Sequence, residues 1–88
     1  MYAIITKSSS LLFAQVNFRD EKLLKKFGKH LQAVRKQKGL TQEDLAYQSN
    51  ISLSQIARIE TGRINPTLCT LVEISKTIDV DLKDLVNF

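Results

Sequence analysis

The sequence predicts an all-α domain of five helices, compact and preceded by an N-terminal arm. Three observations carry that prediction. Residues suited to capping helix N-termini recur at short intervals, at Thr41, Ser52, Thr67 and Asp81, and each opens a segment with apolar residues at helical spacing. Gly39, just before the first of these segments, and Gly62, at the end of the second, stand where a left-handed residue can close a preceding helix. Residues 1–18 break the pattern, and no low-complexity stretch or repeat separates the rest.

In the arm, Tyr2, Ile4 and Ile5 are followed by Ser8-Ser9-Ser10 and then by Leu11-Leu12-Phe13-Ala14-Gln15-Val16-Asn17-Phe18. Alternation at Leu12, Ala14, Val16 and Phe18 and the β-forming composition favour extended structure. Its apolar content suits packing on its own domain or on a second copy rather than an exposed tail. The first helix starts at Asp20 or Asn17 and runs to about Lys38, with Leu23 or Leu24, Phe27, Leu31 and Val34 on one face. Thr41, with Asp44 three residues on, has the form of a capping box, and Leu40 is placed for a hydrophobic staple. Ser52 caps the third helix, which Gly62 ends. After the turn Arg63-Ile64-Asn65-Pro66, Thr67 caps a helix carrying Leu68, Leu71, Val72, Ile74 and Ile78. Asp81, with Asp84 completing a box-like pair, caps a last short helix with Leu82, Leu85 and Val86 as its apolar stripe. His30 falls on the polar side of the first helix as a solvated residue, and Cys69 among the apolar residues of the fourth as small core filler.

Eighty-eight residues make one domain and leave no room for a catalytic one: residues 1–18 as arm and 19–88 as the folded unit. A lone cysteine excludes an internal disulfide, and with a single histidine there is no ligand set for zinc, so no metal or cofactor is expected. No apolar run approaches a membrane span, which points to the cytoplasm. The net charge is +4. Arg19 to Lys38 hold eight basic residues against Asp20 and Glu21, whereas Thr67 to Phe88 hold Lys76 and Lys83 against four acids. The cationic end suits phosphate, or is a solvated helix face. No paired carboxylates in an apolar pattern, Cys-His nucleophile or glycine-rich phosphate loop argues for an enzyme.

The two short capped helices from Thr41 to Gly62 form a helix-turn-helix, a unit whose second helix commonly enters the major groove of DNA. From Phe27 to Leu85 the chain resembles the phage-repressor and Cro (XRE) type of helix-turn-helix regulator, the λ-repressor-like fold. The resemblance is carried by Arg35, Gly39-Leu40-Thr41-Gln42-Glu43, Leu45-Ala46, Ile51-Ser52, Ile56, Ile59-Glu60, Gly62, Asn65-Pro66-Thr67-Leu68, Thr70-Leu71, Ile74 and Val80-Asp81-Leu82. It implies contacts to the DNA backbone from Thr41, Gln42, Thr61, Arg63 and Asn65, although asparagine is commoner at the position of Thr61. It implies base readout from Ser52, Leu53, Ser54, Gln55 and Arg58, and a semi-buried ion pair between Arg35 and Glu60.

Physical chemistry stands beside these roles. A helix N-terminus at Gln42 favours phosphate, and the amide adds a directed donor. The Arg58 guanidinium matches guanine O6 and N7, or pairs with a neighbouring acid. Gln55 suits adenine or a phosphate, and Leu53 suits a thymine methyl or packing on the arm or first helix. Ser54 offers small, degenerate contacts.

Leu82, Leu85, Val86 and Phe88 offer more apolar surface than so short a helix can bury alone, and form the expected homodimer interface. The expected function is a homodimeric, sequence-specific regulator of transcription reading a pseudo-palindromic site in double-stranded DNA, of the size of restriction-modification controllers and small phage-type repressors. The alternative is an antitoxin that binds its own promoter while its arm or last helix wraps a toxin.

Overall fold

The computed structural model describes residues 19–88, and all of its regular structure there is helical: α1 Glu21–Gln37, α2 Gln42–Ser49, α3 Leu53–Glu60, α4 Leu68–Thr77 and α5 Leu82–Leu85. The expected arm, residues 1–18, lies outside the described residues, as does Asn17, the alternative start of α1.

Each helix begins where a side chain satisfies an amide that the helix itself cannot. Asp20 opens α1, its Oδ1 accepting from the Leu23 amide at 3.0 Å. At α2 the box closes in both directions: the Asp44 amide donates to Thr41 Oγ1 and the Thr41 amide to Asp44 Oδ2, each at 3.0 Å. Hydrogen bonding from the Thr41 amide, and then from the Thr41 side chain, holds the Asp44 carboxyl below the usual carboxylate range. Ser52 and Thr67 accept from Gln55 and Thr70 at 3.1 Å. Asp81 differs from expectation. Its backbone has the extended cap conformation, but its side chain makes no capping bond to α5.

Helix ends are closed by left-handed residues. At α1, Gly39 (φ 72°) donates to Lys36 O and Leu40 to Arg35 O, the paired bonds of a Schellman closure. Gly62 (φ 73°) and Arg63 repeat them on Ile59 and Arg58. Asp79 (φ 57°) closes α4 in the same way without a glycine, and Asn50 (φ 61°) forms the left-handed corner between α2 and α3. Asparagine and aspartate tolerate this region better than other side chains with a Cβ.

At eight residues each, α2 and α3 are too short to persist alone and depend on packing. Phe27 and Leu31 of α1, Leu45 of α2, Ile56 and Ile59 of α3, Ile74 and Ile78 of α4 and Leu85 of α5 form one core, with Leu40, Ile51, Ile64 and Leu71 packed against it. Of the two candidates near the start of α1, Leu24 is buried and Leu23 exposed.

Gly28 sets how closely α1 meets α3. A Cβ there would stand 2.7 Å from both the Glu60 carbonyl carbon and the Ile59 carbonyl oxygen, rigid backbone that cannot yield. Gly28→Ala is therefore expected to destabilise the protein by about 2 kcal/mol or more, although alanine favours a helix interior by roughly 1 kcal/mol. Gly39→Ala, with nothing within 4 Å, should cost only the left-handed conformation, about 1–2 kcal/mol. Urea midpoints of the two variants measure the difference; a stable Gly28→Ala protein would show that α1 and α3 do not meet so closely.

Candidate nucleic-acid interface

The helix-turn-helix is fastened to α1 by one ion pair. Arg35 Nε donates to Glu60 Oε2 at 2.6 Å and Nη2 to Oε1 at 2.9 Å, a two-pronged arrangement whose side chains are 6% and 2% exposed. The third donor, Nη1, reaches the carbonyl of Leu40 at 2.8 Å, and Gln42 Nε2 donates to Glu60 Oε1 at 3.0 Å. Hydrogen bonding to Glu60 raises the Arg35 pKa from its ordinary value; desolvation opposes this, and the charges of Glu60 and Glu43 add to the rise. The guanidinium thus stays charged throughout the working pH range. Among the described residues, no buried side-chain polar atom lacks a partner.

With Ile56, Ile59 and Glu60 turned inward, α3 offers a polar outer face. Ser54 and Arg58, four residues apart, share one side of it, and both are exposed. Arg58 is in no ion pair among the described residues, so its guanidinium remains available. Gln55 is half-buried, and Leu53 is 43% exposed at the start of the helix. Ser52 is exposed; its oxygen is used as the cap.

The flanking residues fall into two groups. Thr41 and Gln42 stand at the N-terminus of α2, Gln42 half-buried and with one amide hydrogen directed inward to Glu60. Thr61 is exposed, yet its hydroxyl donates back to Ala57 O at 3.0 Å, with Arg58 O at 3.3 Å, so its single proton is used within α3. Gln42 and Thr61 face a depression of about 370 Å³ whose other walls include Lys25, Lys29 and Gln32 of α1. Sequence reasoning found the cationic helix but did not single out Lys25 and Lys29; their i, i+4 spacing on the face that also carries Gln32 was the available signal. Arg63 and Asn65 are exposed in the loop after α3, and the Arg63 carbonyl accepts from Arg19 Nη2 at 2.9 Å.

At the opposite end, the structure corrects three expectations. Leu85 is fully buried in its own domain and presents nothing to a second copy, because the short α5 turns it into the core beside Ile74 and Ile78. Leu82 is half-buried, while Val86 and Phe88 are 44% and 43% exposed. His30 is not a solvated residue: it is half-buried, donates from Nε2 to the Asp84 carbonyl at 3.0 Å and lies beside the Phe88 ring. Cys69 is exposed rather than core, since the buried side of α4 runs through Ile74, Ser75 and Ile78. No helix among the described residues is long and apolar enough to cross a membrane.

The helix-turn-helix family matches residues 31–85, from the middle of α1 to the end of α5. The chain belongs to this family, in its XRE-type branch of DNA-binding transcriptional regulators. It is 37% identical over 59 residues to a protein of Sinorhizobium fredii named uncharacterized HTH-type transcriptional regulator y4dJ, covering 67% of this chain and 77% of that one. At the same identity and length it resembles the immunity repressor protein of Bacillus phage phi105, again over 67% of this chain but only 41% of the repressor. Among solved structures it resembles the restriction-modification controller protein C.AhdI of Aeromonas hydrophila, with a TM-score of 0.69 and 34% identity over 70% of this chain and 90% of that one.

Removing one partner of the buried pair leaves the other charge stranded. Arg35→Leu is expected to cost about 3–5 kcal/mol, and adding Glu60→Leu to recover much of that loss, because two apolar side chains of similar volume replace two desolvated charges. Denaturant midpoints of the single and double variants test this. A double variant no more stable than the single one would show that the bonds to Leu40 and Gln42 matter more than the charges.

Proposed function

We propose that this regulator binds DNA as a homodimer on a pseudo-palindromic site, with α3 in the major groove, and acts by occupancy. The observation that carries this reading is the division of α3 into an inward face locked by Glu60 and an outward face on which Arg58 is unpaired among the described residues. In this reading Arg58 reads guanine, Gln55 and Ser54 contact neighbouring base edges, Ser52 lies at the groove edge, and Leu53 meets a thymine methyl. Gln42 uses one amide hydrogen to hold Glu60 and the other to hold a phosphate, next to the α2 amides that Thr41 leaves unused. Lys25 and Lys29 border the same depression and supply the charge there. Arg63 and Asn65 hold the backbone beyond α3. Thr61, with its hydroxyl proton and its amide both used within α3, offers a phosphate no free donor.

A single recognition helix reads too few base pairs to stand out against a genome of competing sites. Two copies related by a two-fold axis, with α3 helices about 34 Å apart, double the site. Without Leu85, the C-terminal contact between them consists of Leu82, Val86 and Phe88. The regulator reading is preferred to the antitoxin one because the relatives' names are those of a transcriptional regulator, a repressor and a controller.

Selection from a random DNA pool tests the roles. Arg58→Ala should flatten preference at one position of each half-site; Lys25→Ala should weaken all sequences alike and reduce the slope of log affinity against log salt by about 0.9. Identical sequence preferences for Arg58→Ala and the unaltered protein would remove Arg58 from readout. Val86→Asp, at an exposed position, should leave the fold intact, give a monomer by light scattering and weaken operator binding by roughly tenfold or more. An unchanged dimer mass would move the interface elsewhere.

A further inference from the structure

A row of cations runs the length of α1. Lys22, Lys25, Lys29, Gln32 and Lys36 recur at alternating steps of three and four residues, the spacing that keeps side chains on one side of a helix, and the four lysines are exposed. The middle of the row, Lys25, Lys29 and Gln32, walls the depression that Gln42 and Thr61 border. Its ends, Lys22 and Lys36, lie outside that depression. They stand about 21 Å apart along the helix axis, against about 12 Å for the eight residues of α3. The two helices meet where a Cβ on Gly62 would stand 2.9 Å from the Lys25 Cα, so α1 crosses the end of α3 at Lys25. Lys22 is a turn of helix beyond that crossing, three residues after Arg19, which is bonded to the Arg63 carbonyl at 2.9 Å.

Among the described residues nothing neutralises this row. The ion pairs there are Arg19–Glu21 and Arg35–Glu60, and the sequence of residues 1–18 contains no acid. Lys22–Lys26 and Lys25–Lys29 are like-charge pairs at i, i+4, as are Lys22–Lys25 and Lys26–Lys29 at i, i+3. Each works against the helix until an anion neutralises it.

We propose that the row is a track for the backbone of duplex DNA flanking the base pairs that α3 reads. This rests on the DNA-binding reading above and extends it from Lys25 and Lys29 to Lys22 and Lys36. The charges are strung along a line rather than gathered around a pocket, which suits a polyanion better than a small anion. Their span matches about six successive phosphates of one strand. The outer side of α1 carries no aromatic ring on which an unpaired base could stack, Phe27 being buried, so the row fits a duplex rather than a single strand. Lysines are point charges without the fork of a guanidinium, and they hold phosphate whatever the sequence. The track therefore adds affinity without specificity, and part of the binding energy resides in DNA that base preference does not register.

The test measures affinity of the full chain by fluorescence anisotropy for one duplex selected from a random pool. That duplex is first trimmed to the base pairs that show a preference, then extended by about six base pairs on each side. At about 0.1 M salt the extended duplex should bind roughly tenfold tighter, and its slope of log affinity against log salt should steepen by about 0.9 for each phosphate gained. Lys22→Gln combined with Lys36→Gln should abolish that gain while leaving affinity for the trimmed duplex and the selected sequence nearly unchanged. Lys76→Gln combined with Lys83→Gln, which removes the same charge from exposed positions of α4 and α5, should keep the gain. A gain absent from the unaltered protein, or lost equally in both double variants, overturns the track, and selective binding to the trimmed duplex then leaves the DNA-binding reading standing. Failure to bind any duplex selectively overturns both. An equal gain from single-stranded flanks overturns the assignment to duplex and gives the row to unpaired nucleic acid.

Discussion

The orientation of α3 depends on one guanidinium. Arg35 spends its donors on two targets, the carboxylate of Glu60 in α3 and the carbonyl of Leu40 just before α2, so a single α1 side chain fixes both helices of the helix-turn-helix. Gln42 completes the link from α2 to the same carboxylate. Desolvating two charges takes back most of what their attraction yields, so the pair contributes little net stability but a definite geometry. Being buried, it is also largely shielded from the salt that weakens phosphate contacts. Gly28 adds a steric constraint at the same residue: α1 approaches the Glu60 backbone so closely that a methyl group has no room. Glu60 is thus held by side chain and main chain together.

The remaining architecture exists to make that geometry affordable for very short helices. Caps at Thr41, Ser52 and Thr67 satisfy amides at one end, left-handed residues satisfy carbonyls at the other, and what remains apolar meets in a core to which every helix contributes. The same economy explains α5. Four residues with no side-chain cap hold their place because Leu85 is buried and His30 reaches across from α1 to the Asp84 carbonyl.

Features written in local chemistry were legible in the sequence: the hydroxyl caps, the Thr41–Asp44 box, Gly39 and Gly62, and the stripe of Phe27 and Leu31. Each depends on residues within about four positions of one another. The Arg35–Glu60 pair, spanning 25 positions, was accessible only through family resemblance. Interhelical facts were not legible. Nothing local distinguishes a glycine tolerated in a helix from Gly28, which is required by a neighbour, or shows that His30 has a partner 54 residues away. Asn50 and Asp79 take left-handed backbone where the sequence offers no glycine as a marker. On helices of four to ten residues, small rotations decide which apolar residues are buried, which is how Leu85 went inward and Cys69 outward.

The split personality of α3 has an evolutionary corollary. Ile56, Ile59 and Glu60 carry its attachment to the domain, whereas the side chains of Ser54 and Arg58 are exposed. Substitutions on the outer side are therefore close to neutral for folding, and those on the inner side are constrained whatever the DNA sequence. With α3 reading DNA as proposed, a lineage of such regulators can drift toward new binding sites by exchanging a few exposed side chains while keeping the same scaffold. Duplicated copies are then free to diverge in target without first acquiring compensating mutations in the core.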